Sequence, residues 1–240
     1  MTLRISHLKP FAQGGNRLCF IHPDDPQKCI KVRRPDFTLV DLRRKKGFPK
    51  NLRPLSSFDD NLEEYQVMTR LHQRYGQSLY QHVSQCYGFI ETDMGKGLVS
   101  ELIRDDDLRI SHSLKQFLWD HGYTNACREA IVEFEAYWQS QAIPSRDLLL
   151  HNIVVQTQSQ TIIKRLVVID GLGNPNVVPD WVMPYAVRAR RAQRKIKNLH
   201  QRIDDLLGLR GQDQFPGYHG QLLHDGIDEL SPNMEPGSTK

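Results

Sequence analysis

The sequence predicts an α+β chain arranged as two lobes about a cleft, the first strand-rich to about residue 103 and the second mostly helical to about residue 208. Three observations predict it. Short β-branched-rich runs bounded by turn residues crowd the first hundred positions, and apolar residues at three- and four-residue intervals dominate 112–207. Within that second stretch Asp147, Asn152 and Asp170 flank a hairpin-like pair of apolar runs. With 240 residues, 39% hydrophobic and 25% charged, the chain can bury a sizeable core as one domain or as two small lobes.

Residues 3–33 read as strands broken by turns. Leu18-Cys19-Phe20-Ile21 and Cys29-Ile30-Lys31-Val32 are separated by His22-Pro23-Asp24-Asp25-Pro26, whose prolines and aspartates favour a turn, so a hairpin is expected. Gln13-Gly14-Gly15-Asn16 precedes its first strand, where the lack of a Cβ lets backbone N–H groups approach a ligand. Residues 34–58 mix Arg43, Arg44, Lys45, Lys46, Lys50 and Arg53 with Pro35, Pro49 and Pro54, and their weak apolar periodicity predicts an exposed basic loop. A helix is expected over 60–75, capped by Asp60 with Glu63 three residues on, carrying Leu62, Val67, Met68 and Leu71 and stopping near Gly76. Strands over 83–90 and 98–103 follow, joined across Asp93-Met94-Gly95-Lys96-Gly97.

Past Arg104-Asp105-Asp106-Asp107 the pattern turns helical. Helices are expected over 112–121 and 125–141, the second with Ala130, Ile131, Phe134, Tyr137 and Trp138 on one side. Asn152-Ile153-Val154-Val155 and Leu166-Val167-Val168-Ile169 read as paired strands. A long helix over 184–207 places Ile196, Leu199, Ile203 and Leu206 on one stripe, with Arg188, Arg190, Arg191, Arg194, Lys195 and Lys197 on the other faces. Residues 209–240, rich in Gly, Pro, Asp and His without periodicity, predict a mobile tail.

A net charge of +4 is modest and licenses no strong claim about nucleic acid. Cys19, Cys29, Cys86 and Cys127 lie far apart with no C-x-x-C spacing, against a structural zinc site and against a disulfide-stapled secreted fold. No window approaches the roughly 18 apolar residues that span a bilayer, so no membrane partner and a cytoplasmic location are expected.

Asp170 ends a buried-strand run, where an unpaired carboxylate at a core edge is costly and therefore more often functional than decorative. Asn152 and Asp170 offer a neutral and an anionic oxygen, ligand types that suit magnesium when phosphates and waters complete its octahedron. Asp147 is a candidate general base, with a turn aspartate bonded to a local N–H as the bland alternative.

Lys31 in Cys-Ile-Lys-Val, Glu64 in the first long helix, Arg146-Asp147-x4-Asn152 and Val168-Ile169-Asp170-Gly171 follow one another in the order of the protein-kinase-like fold. Over residues 8–208 the chain most closely resembles the bacterial family of the PhoP regulatory network protein YrbL. That resemblance implies a bilobal protein-kinase-like fold with a strand-rich N-lobe (1–103) and a reduced, mostly helical C-lobe (104–208), binding ATP and Mg2+ between them. It implies that Lys31 meets the α- and β-phosphates and is held by Glu64, preferred over Glu63 because Val67 and Met68 follow at plus three and plus four. It further implies that Asp147 orients the acceptor hydroxyl, that Asn152 and Asp170 hold the metal, that Gly14 and Gly15 cover the phosphates, and that backbone groups of Glu101, Leu102 and Ile103 meet the adenine ring.

The chain departs from the kinase pattern at Ser145 in place of His, at Leu149 in place of a phosphate-contacting lysine, and at Gly171-Leu172-Gly173 in place of Phe-Gly, and it shows no Ala-Pro-Glu segment. These departures argue against a protein substrate and leave nucleotide and metal binding in place. The expected function is phosphoryl transfer from ATP to an unidentified acceptor, small molecule or protein. One alternative is a catalytically impaired pseudokinase acting as a nucleotide-sensing or scaffolding regulator. A second is a nucleic-acid-binding regulator working through the basic helix, which the absence of interleaved aromatic residues disfavours against a solvated helix face.

Overall fold

The computed structural model describes residues 2–159, 162–173 and 183–227. Its first lobe is a five-stranded antiparallel sheet of order β1-β2-β3-β5-β4, made of β1 (Ala12–Gln13), β2 (Arg17–His22), β3 (Asp25–Arg33), β4 (Cys86–Thr92) and β5 (Gly95–Glu101). The expected hairpin sets Phe20 opposite Ile30 and Cys19 opposite Lys31. Because side chains alternate between faces, Phe20, Ile30 and Val32 gather with Ile5 on one side, while Ile21 and Cys29 join Phe11, Leu102 and Ile110 on the other. That alternation turns Lys31 into the cleft. At Gly97 a Cβ would come within 2.5 Å of Ile30 Cγ2, so only glycine lets β5 pass over the first cluster.

The exposed loop expected over 34–58 is corrected: it contains α1 (Leu39–Lys46) and two 3-10 turns. Thr38 and Asp41 form a capping box, the hydroxyl accepting from the Asp41 N–H at 3.2 Å and the carboxylate from the Thr38 N–H at 3.1 Å. Leu42 and Phe58 are its buried anchors. Helix α2 (Asp60–Tyr75) has the expected span but is capped by Asp59, whose carboxylate accepts from the Asn61 and Leu62 N–H groups; it ends at Gly76 with φ of 58°. The strand expected from 83 begins only at Cys86. The preceding backbone is bonded to the other lobe, Val168 N–H donating to His82 O and Ser84 N–H to Val168 O.

The second lobe comprises α3 (Leu114–His121), α4 (Asn125–Gln141), the hairpin of β6 (Ile153–Ser159) and β7 (Ile162–Val168), and α5 (Tyr185–Leu209). Ser113 and Thr124 cap α3 and α4 through their hydroxyls. Phe134 and Trp138 of α4, Leu114 and Leu118 of α3, Leu199 and Ile203 of α5 and Leu166 of β7 form one buried core. Val67, Met68 and Leu71 of α2 belong to that same core, so the helix carrying Glu64 is seated on the second lobe as well as under the sheet.

Of the tail expected from 209, residues 210–227 are described and are tied to both lobes; residues 228–240 lie outside the described residues. Arg210 donates to the Trp119 and Asp120 carbonyls at 2.9 and 3.0 Å, and Lys115 donates to the carbonyls of Pro216 and His219. The Leu223 N–H then donates to Phe11 O at 2.8 Å and the Ile110 N–H to Asp225 O at 2.9 Å, so the segment touches both lobes. Its ties are largely to backbone carbonyls, which no apolar periodicity announces. Among the described residues no helix is long and apolar enough to cross a membrane, and all four cysteines are free thiols.

Candidate functional site

A cavity of about 420 Å3 opens between the lobes. Gly14, Gly15, Lys31, Glu64, Glu101, Leu102, Ile103, Asn152 and Asp170 all line it, and Asp147 does not. Lys31 Nζ donates to Glu64 Oε1 at 2.7 Å and to Ile169 O at 3.0 Å. Burial alone lowers the lysine's affinity for its proton, but the Glu64 carboxylate reverses the sign and the group sits above its ordinary range. The pair is buried rather than solvated: the side chains are only 9% and 14% exposed.

Arg17 is the residue that the sequence reading passed over. Its guanidinium donates to Glu64, to Asp170 Oδ2 at 2.5 Å and to Asn61 Oδ1 at 3.2 Å. The cluster therefore holds two cations and two carboxylates. Burial pushes the Asp170 carboxyl up, yet Arg17, Lys31 and the Gly171 N–H, 2.6 Å from Oδ1, outweigh it and hold the group below the usual carboxylate range. Its side chain remains 43% exposed on the cavity wall, open to a further ligand.

Gly171 lets two loops meet. Its φ of +81° belongs to glycine, and a Cβ there would lie 3.1 Å from both Asn152 Nδ2 and Asp147 O. The Arg146 N–H donates to Gly171 O at 2.8 Å and the Ile169 N–H to Asn152 O at 2.9 Å, so Asp147, Asn152 and Asp170 are brought together on adjoining backbone. Asp170 and Asn152 present hard oxygen donors that fit a magnesium ion sharing phosphate and water ligands. Among the described residues no group of three His, Cys, Asp or Glu side chains exists that would hold a metal unaided.

Asp147 faces α5. Arg202 donates to its Oδ2 at 2.6 Å, Lys195 stands 3.8 Å from its Oδ1, and Lys195 also donates to Arg146 O. The solvated face expected of this helix is thus corrected at two positions. Only the tertiary path of α5 pairs them with Asp147, and no local spacing signals it.

At the other end, the Glu101 side chain is already engaged by Arg165 at 3.0 Å and by the Gln85 N–H at 3.0 Å. The Leu102 N–H donates to Gln27 O and Ile103 O accepts from Ser111 N–H, leaving the Ile103 N–H without an acceptor among the described residues. Leu222, from the segment after α5, packs on the apolar cluster of Phe11, Cys29, Leu102 and Ile110, and residues 219–222 close this side of the cavity.

The sequence matches the family of the PhoP regulatory network protein YrbL over residues 3–204. Curated relatives named YrbL from Escherichia coli (strain K12) and Shigella flexneri are each 26% identical over 182 residues, 74% of this chain and 76% of theirs. Among solved structures, Rad53 1-466 in complex with AMP-PNP matches with a TM-score of 0.44 and 15% identity, over 87% of this chain and 48% of that one. The chain thus spans about half the length of that structure, and the likeness adds no weight to the fold. The bilobal α+β fold stands on the five-stranded sheet, the helix α2 behind it and the helical second lobe, with the Lys31–Glu64 pair on the cavity wall between the lobes. By its sequence match, the chain belongs to the PhoP regulatory network protein YrbL family.

Proposed function

We propose that the chain binds ATP in the interlobe cavity and transfers its terminal phosphoryl group to an acceptor hydroxyl. The observation that supports this best is that one cavity, within the roughly 300–1,000 Å3 typical of small-molecule sites, has an apolar end and a charged end. The base occupies the apolar end, among Cys29, Leu102 and Ile110, within reach of the Ile103 N–H, which has no acceptor among the described residues. Lys31, fixed by Glu64, meets the phosphates as a point charge. Nothing lies within 4 Å of a Cβ built at Gly15, so packing does not demand glycine there, and the open space suits a phosphate under the loop.

Asn152 and Asp170 would hold Mg2+, which when bound offsets phosphate charge. Asp147 accepts the hydrogen bond of the attacking hydroxyl, an assistance worth about 10²–10⁴ in rate. Comparing ADP formation by the wild type and Asp147→Asn tests the transfer step. A loss on that scale with AMP-PNP binding retained is expected, and equal rates would remove Asp147 as the base.

One observation favours a second reading. Both Asp147 oxygens face cations of α5, an arrangement that already engages the acceptor positions a substrate hydroxyl would need and suits a nucleotide-sensing pseudokinase. Magnesium-dependent ATP binding without any ADP formation would select it.

A further inference from the structure

We infer that Arg17 is a phosphate-binding residue that exchanges its bond to the Asp170 carboxylate for one to the polyphosphate of the nucleotide. This rests on the nucleotide reading above and adds to it a residue, an order of binding and a linkage between nucleotide and metal.

Three features carry it. The first is placement: Arg17 opens β2 directly after the glycine turn, and the Gly14 N–H donates to Arg17 O at 2.9 Å, so the base of the side chain is fixed beside the loop while its guanidinium lies in the cavity wall. Asn16 Nδ2 donates to Asp60 at 3.0 Å, which pins that turn to the start of α2. The second is the form of the group. A planar guanidinium, 15% exposed, reaches two carboxylates and the Asn61 side chain at once, and the same fork of donors matches phosphate oxygens.

The third is charge. Arg17, Lys31, Glu64 and Asp170 sum to zero, and Asp170 is the member with the most exposed side chain. A divalent cation that takes Asp170 alone leaves Arg17 and Lys31 sharing the single Glu64 carboxylate, next to two new positive charges. Polyphosphate relieves this by giving Arg17 a new anionic partner as the metal replaces it on Asp170. Metal without nucleotide is therefore opposed by Arg17, and nucleotide favours metal by drawing Arg17 away; reciprocity of linkage makes the converse hold.

The test uses the full chain as wild type, Arg17→Gln and Arg17→Lys, with three probes: AMP-PNP with Mg2+, adenosine, and Mn2+ alone. Calorimetry should show AMP-PNP affinity falling about 10- to 100-fold in Arg17→Gln, the range expected for a lost charge-assisted bond, and by less in Arg17→Lys. Adenosine affinity should stay constant, and Mn2+ alone, followed by its electron paramagnetic resonance signal, should bind several-fold more tightly once Asp170 is unmasked. Equal losses of AMP-PNP and adenosine would make Arg17 a structural tie between lobes and overturn the inference, as would unchanged AMP-PNP affinity. Should Arg17→Gln fail to fold, Arg17→Lys decides, since a purely structural tie kept by lysine would leave both affinities as in the wild type. A wild type that binds no AMP-PNP overturns the nucleotide reading itself, which the other outcomes leave standing.

Discussion

Lys31 and Glu64 show what a single carboxylate does when two buried cations depend on it. Glu64 accepts from both Lys31 and Arg17, so Glu64→Gln leaves two positive groups short of compensation in a site where solvent is scarce. A loss of about 3–5 kcal/mol is expected from urea unfolding, the range for breaking a buried ion pair on one side only. His82 makes a different residue-scale prediction. Burial holds its imidazole below the ordinary value, and Nδ1 lies 2.8 Å from the Leu166 carbonyl, which an N–H must satisfy. The unfolded chain then takes a proton before the folded one does. Stability is full above about pH 6.5 and declines as pH falls from there through the depressed folded value. Unfolding free energies measured from about pH 7.5 down to 5.5 should fall more steeply for the wild type than for His82→Gln. That Lys31, Glu64, Asn152 and Asp170 share one cavity was legible through the order of the motifs that carry the kinase resemblance. Arg17 was not, because its two carboxylate partners lie 47 and 153 positions away.

At the scale of elements, the position of Glu64 is set by where α2 starts. Asp59 caps that start and also bridges to Arg33 at 3.0 Å, so Asp59→Ala should cost about 1 kcal/mol and loosen the first turn, five residues before Glu64. Hydrogen exchange of the amides at Asn61 and Leu62 would register it, and unchanged exchange would deny the cap its role. Helices α2, α4 and α5 were readable because their apolar stripes are long enough for the 3.6-residue period to stand out. Helix α1 was hidden by its lysines and arginines, and its only local sign is the pair Thr38 and Asp41, three residues apart. The strand expected at 83 failed for a tertiary reason: the β-branched residue there pairs with Val168 of the other lobe.

For the molecule as a whole, the two lobes share the core under α2, and the chain after α5 returns to brace them. Lys115 holds that return through the carbonyls of Pro216 and His219, and Ser113 through that of Gly220. Lys115→Ala should therefore speed limited proteolysis within 210–227, mapped by mass spectrometry, while the helical circular dichroism of α3, α4 and α5 stays as it is. Cleavage no faster than in the wild type would show that other contacts suffice. Since a carbonyl is common to every amino acid, the identity of residues 216 and 219 can drift across relatives while the route of the chain is kept; Gly220 cannot, because its φ is +87° and a Cβ there would lie 2.6 Å from His151 Cβ. What drift cannot absorb is a change in spacing, because an inserted or deleted residue between Arg210 and Leu223 would shift Leu222 off the apolar shelf it covers.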